Sequence, residues 1–179
     1  GRRLLSFQNF QEALLQSVRT SAMLFFVIFG AQLFSAFINA ADLPGQALSW
    51  IQSLDLSAMG VMSIILLFYI AFGCVFSAFA LVLLTVPVFF PLVAGLGLDA
   101  AFGTTPENIL IWFGIVIVVV AEIGQITPPI GMNLFIASYR FKKPIAELYR
   151  ATLPFMAVLL IALIVITYVP DLSLFFLDR

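Results

Sequence analysis

Histidine is absent from the 179 residues, cysteine occurs once, and charge is scarce: eight basic and nine acidic side chains leave a formal net charge of −1. Without histidine there is no Ser-His or Cys-His nucleophile pair, no imidazole metal site and no histidine proton relay. A single thiol, Cys74, excludes an internal disulfide and a thiolate metal cluster. Neither a GxxxxGK phosphate loop nor a GxGxxG turn is present, so nothing points to a nucleotide-driven pump. A net charge near zero argues against nucleic acid as a partner. No enzyme is expected: an intramembrane hydrolase would need a Ser-His pair or two facing aspartates within the spans. The N-terminus lacks a short apolar core followed by a small-residue cleavage site, so no signal peptide is read there. The start at Gly1 points to a processed or truncated chain.

What remains is apolar. Hydrophobic residues make up 63% of the chain and charged ones 9%, against about 25% charged in soluble domains. Mean hydropathy is +1.17. A water-soluble fold of this size keeps too much surface exposed to hide so much apolar area. The chain therefore reads as an all-α integral membrane protein, residues 1–179 forming one transmembrane module.

Charge-free runs set its organisation. An amphipathic cytoplasmic lead-in is predicted over residues 1–19, a transmembrane helix over 20–41 and an interfacial helix over 43–55. The next apolar stretch is too long for one crossing, and a helix of about 34 residues would reach about 51 Å. It is read as a helical hairpin over 58–93 that turns at a tip near 73–78 and leaves by the face it entered, with Pro87 and Pro91 in its exit arm. A broken helix follows over 108–139, and a last span over 151–170. This topology places Arg2, Arg3, Arg19, Arg140, Lys142, Lys143 and Arg150 in the cytoplasm and only Arg179 outside, along with Asp171 and Asp178. A single crossing in place of the hairpin would put the Arg140–Arg150 cluster outside.

The strongest local signal is AEIGQITPPIGMNLFIAS. Pro128 and Pro129 remove two backbone donors within a span, where each interior proline costs about 3 kcal/mol. Two half-helices joined by an unwound 127–130 segment are expected, and such backbone survives at this depth only where protein or a water-filled cavity satisfies it. The first half ends in free carbonyls suited to sodium; the second begins with free N–H groups suited to an anion. Thr127 and Asn133 add neutral oxygens. A hairpin turning within the bilayer beside a broken helix is a transporter arrangement, and no charge ring or filter repeat favours a channel.

Three pieces carry a resemblance: GCVFSAFALVLLTVPVFFPLVAGLGLD, EIGQITPPIGMNLFIAS and a last helix opening with TLPF. Together they resemble the C-terminal half of the large membrane subunit of tripartite ATP-independent periplasmic (TRAP) transporters, TPPIGMNLF being the specific part. The resemblance implies one repeat of an inverted-repeat elevator transporter in the bacterial inner membrane, with the N-terminus cytoplasmic and the C-terminus periplasmic. It implies sodium as coupling ion, no other cofactor, and an organic acid substrate such as a C4-dicarboxylate or sialic acid. Implied partners are the N-terminal half of the subunit, a small membrane subunit, a periplasmic substrate-binding protein and membrane lipid. The matching site positions are Gly73, Cys74 and Ser77 at the tip, and Gln125, Thr127, Pro128, Pro129, Gly131 and Asn133 at the break. Where that family commonly has an acidic residue near the tip, this chain has Ser77.

Other residues have plainer readings. Glu122, the one charge within a span, either attracts a cation or gates the site, or hydrogen-bonds a neighbouring helix. Cys74 also reads as a small residue at a tight turn, and Ser77 as a cap for the exit arm. Phe25, Phe26, Phe29, Phe34 and Phe37 read as lipid-facing or packing surface, Trp50 and Trp112 as an outer interfacial belt. Against a transport module stands a non-transporting membrane assembly or anchoring subunit.

Overall fold

A computed structural model of the chain describes residues 6–175; Arg2, Arg3, Asp178 and Arg179, used above to orient the chain, lie outside them. The described residues are helical with no strand, as expected for an all-α membrane protein. Among the described residues, three helices are long and apolar enough to cross a membrane.

Helix α1 (Phe7–Ala40) starts where the Ser6 hydroxyl accepts the Asn9 N–H at 3.2 Å. It continues for 34 residues without a break, so the lead-in and the first span are one rod rather than two pieces. No glycine-proline signal or cap separates them, and helix propagation is cheaper than a second start. Phe25, Phe26, Phe29 and Phe37 are exposed along it. A left-handed residue, Asp42, turns the chain into α2 (Leu43–Ser53).

The stretch read as a hairpin over 58–93 forms two helices joined by a short turn. Helix α3 (Ala58–Gly73) is capped by Ser57 and α4 (Ala78–Ala94) by Ser77. The two arms are antiparallel: the Tyr69 hydroxyl hydrogen-bonds Thr85 across them, and the rings of Phe68 and Tyr69 pack on Phe89. The loop beyond holds one short helix, α5 (Leu98–Phe102), between left-handed Gly97 and Gly103.

The broken helix is α6 (Pro106–Ile126) followed by α7 (Met132–Phe141). The last span, α8 (Ile145–Tyr168), begins six residues before the expected start at 151 and carries Glu147 and Arg150 inside it. Pro144 starts it, and Lys143 pairs with Glu147 one turn on, at 3.2 Å. A short α9 (Pro170–Leu174) closes the described chain.

Helix α6 is the hub, packed by α3, α4, α5, α7, α8 and α9. In lipid no water is released by bringing apolar helices together, so close packing and hydrogen bonds must hold them. Trp112 shows how. It is not an interfacial residue but fully buried, and its indole N–H donates to the Ile166 carbonyl at 2.7 Å. The residue four positions after Ile166 is Pro170, which has no N–H to give. Trp112 supplies the missing donor from another helix. Replacing it with Phe keeps an aromatic ring but leaves that carbonyl unpaired, which costs about 1–3 kcal/mol. The Trp112→Phe permease should therefore melt at lower temperature in detergent, and an unchanged melting point would contradict this role.

Candidate functional site at the hairpin tip and helix break

The last turn of α3 crosses the last turn of α6 backbone to backbone. A Cβ built on Gly124 would lie 2.6 Å from the Gly73 Cα, and one built on Gly73 would lie 3.0 Å from the Gly124 Cα. Only glycine on both sides permits that approach. It carries the hairpin tip to the end of α6, where the prolines stop the helix.

Side chains then fasten the two. Gln125, buried in this junction, donates through Nε2 to the Gly73 carbonyl at 3.0 Å and to the Phe76 carbonyl at 2.7 Å. The Gly73 carbonyl is one that the end of α3 leaves without a helical partner, and the Phe76 carbonyl lies in the turn of the tip. The Cys74 Sγ lies 3.0 Å from the Ile70 carbonyl and 3.4 Å from that of Pro128, so the thiol touches the break itself. Thr127 leaves the helical conformation with ψ 135°; its N–H donates to the Gly124 carbonyl and its hydroxyl to the Ile123 carbonyl at 2.7 Å. The Pro128–Pro129 peptide is cis. Gly131 restarts the chain in the left-handed region at φ 55°, where its carbonyl accepts the Leu134 and Phe135 N–H groups.

From the far side, the Tyr149 hydroxyl of α8 lies 2.9 Å from the Pro129 carbonyl and 2.7 Å from that of Ile130. Tyr149 is a contact the sequence reading missed, since nothing local links it to residues some twenty positions earlier. The carbonyls at the tip and break are accordingly not free, as the sequence had implied: Gly73, Phe76, Ile123, Gly124, Pro128, Pro129 and Ile130 all accept hydrogen bonds. A carbonyl oxygen has a second lone pair, so each can still face a cation.

The other candidates stand apart. The Ser77 hydroxyl accepts the Ala80 N–H at 3.3 Å, which makes it the cap of α4. Asn133 is exposed on the first turn of α7. Glu122 is two residues from Gly124, hence on the opposite side of α6, and is exposed. The structure therefore joins Gly73, Cys74, Gln125, Thr127, Pro128 and Pro129 and leaves Ser77, Asn133 and Glu122 outside the junction. No group of His, Cys, Asp or Glu suited to a transition metal occurs among the described residues. The donor set is neutral oxygen, the ligand type of hard cations rather than soft ones.

An interrupted helix whose break is satisfied by neighbouring segments is the kind of element from which transporter binding sites are built. The family model of the tripartite ATP-independent periplasmic transporter DctM component matches residues 2–172, and the chain belongs to that family of permease components. It is 35% identical to the C4-dicarboxylate TRAP transporter large permease protein DctM of Pseudomonas aeruginosa, over 91% of this chain and 36% of that protein. It is 33% identical to the ectoine/5-hydroxyectoine large permease protein UehC of Ruegeria pomeroyi, over 88% and 35%. With the sialic acid large permease protein SiaM of Vibrio cholerae it shares 26%, over 95% and 38%. The chain thus spans little more than a third of the length of these relatives.

Two substitutions test the junction. Gln125→Leu leaves the buried Gly73 carbonyl and the part-buried Phe76 carbonyl without this donor, the buried one at a cost of about 1–3 kcal/mol, and should lower the melting temperature of the purified permease. Gly124→Ala forces a Cβ into the Gly73 backbone and should reduce the yield of folded permease. Gly30→Ala, whose Cβ meets nothing within 4 Å, should leave yield unchanged. Equal yields for the two alanine variants would contradict the close crossing.

Proposed function

We propose that this chain is the C-terminal repeat of a large permease subunit that imports organic acid anions across the bacterial inner membrane, driven by sodium. A small membrane subunit braces it and a periplasmic binding protein delivers the substrate. The N-terminus is cytoplasmic and the C-terminus periplasmic, which keeps seven of the eight Lys and Arg residues inside. The relatives' names support a carboxylate-bearing substrate: a C4-dicarboxylate, sialic acid and zwitterionic ectoine all carry one.

The observation that carries the reading is the fastening of tip to break by Gln125 and Cys74. It turns two chain interruptions into one unit lined by carbonyl dipoles. Sodium bound to carbonyls from the tip and from residues 125–129 draws these segments together. An anion is favoured at the start of α7, where no side chain caps the first N–H groups and the helix dipole is positive. The anion lies between this repeat and its counterpart in the N-terminal half. Coupling requires only that sodium bind the closed arrangement more tightly than the open one. The carrier then exposes the site to alternate sides as an elevator, with hairpin and broken helix moving together.

Pro128→Ala with Pro129→Ala restores two backbone donors and favours a continuous helix through the break. In proteoliposomes holding the complete permease and supplied with binding protein, that variant should lose C4-dicarboxylate or sialic acid uptake driven by a sodium gradient. Uptake at the unaltered rate would contradict the reading. A subunit that only anchors the complex would instead lose assembled complex in that variant, with no sodium-dependent flux in either form.

A further inference from the structure

Helix α6 is buried on most of its circumference but leaves one stripe bare. Ile111, Gly114, Val118 and Glu122 are exposed, and at 3.6 residues per turn they fall within about 80° of one another. Three features of this stripe do not suit lipid. Glu122 is a carboxylate within α6, a helix long and apolar enough to cross a membrane, about 21 Å along it from Asn108. It has no hydrogen bond or ion pair among the described residues, where the one ion pair is Lys143 with Glu147. A Cβ at Gly114 meets nothing within 4 Å, so the stripe has a gap two turns from the carboxylate. Such carboxylates face a bundle interior or a water-filled cavity and find a partner there. Small residues within spans let another backbone approach closely.

We infer that this stripe is an interface, and that a membrane-spanning helix from the rest of the permease polypeptide occupies it. That helix packs its backbone close at Gly114 and presents a hydrogen-bond donor side chain to Glu122. The relatives are nearly three times as long as this chain, since it covers 36% of the first of them, so helices to fill the stripe are available within the same polypeptide. The remaining surface favours α6 for this role. α1 shows large apolar side chains such as Phe26 and Leu33, the cover expected against lipid, whereas the α6 stripe shows a glycine and an acid. The inference rests on the family membership and the geometry, not on sodium coupling, and it is tested without measuring transport.

A nitroxide label at Val118→Cys, in the complete permease reconstituted in lipid with Cys74 and other native cysteines replaced, reads the surroundings of the stripe directly. A labelled single-span leucine helix in the same vesicles gives the lipid-facing reference. The expected result is an immobilised spectrum with severalfold lower collision rates with both molecular oxygen and a water-soluble nickel chelate. Oxygen collisions at the reference rate would mean that the stripe faces lipid, and nickel collisions above it would mean a water-filled cavity; either overturns the proposal. Because a label at a tight contact could prevent assembly, the native stripe is tested separately. Glu122→Leu should shorten the lifetime of the solubilised permease severalfold at its melting midpoint while Glu122→Gln, which still accepts a hydrogen bond, retains it. Equal lifetimes for Leu and Gln would exclude the donor partner.

Discussion

A carbonyl in lipid that lacks an amide donor has no water to turn to, and three of the helix interruptions among the described residues leave such carbonyls. Each interruption is answered by a side chain from a different helix. At the hairpin tip, Gln125 of α6 takes the carbonyls of Gly73 and Phe76. At the proline break, Cys74 of the tip and Tyr149 of α8 take those of Pro128, Pro129 and Ile130. At the end of α8, Trp112 of α6 takes the carbonyl that Pro170 leaves without a donor. Local defects in one helix thus become the bonds between helices.

This makes α6 more than a central span. It meets the hairpin through a glycine crossing, the last span through an indole, and its own continuation through Thr127 and Gly131. The remaining face, with Gly114 and Glu122, is where it has no neighbour among the described residues. The helix is firmly joined on one side and on the other carries a bare stripe of two aliphatic residues, a glycine and one carboxylate.

Much of this was legible in the sequence, for physical reasons. The two-helix stretch over 58–94 was read from a charge-free run too long for one crossing and from the cytoplasmic side expected for Arg140–Arg150. The break followed from Pro128-Pro129 between Gly124 and Gly131. Residues whose backbone is special announce themselves. Boundaries without such punctuation did not: nothing between residues 18 and 20 reveals whether α1 continues, and Glu147 and Arg150 hide the early start of α8. Trp112 was misread because tryptophan is assigned to membrane interfaces by type. A usable signal was present in Pro170, which guarantees an orphan carbonyl at Ile166 that some donor must reach. Tyr149 and the Gly73–Gly124 crossing pair residues far apart in sequence, and no local pattern encodes them.

The central claim is that tip and break close as one unit when the coupling ion binds. Cys74 reports on it directly, being the only thiol in this chain, 3% exposed and in contact with the Pro128 carbonyl. In the complete permease with its other cysteines removed, the rate at which a small impermeant maleimide modifies Cys74 should fall severalfold in sodium relative to matched potassium. Equal rates in the two salts would contradict ion-linked closure at this junction.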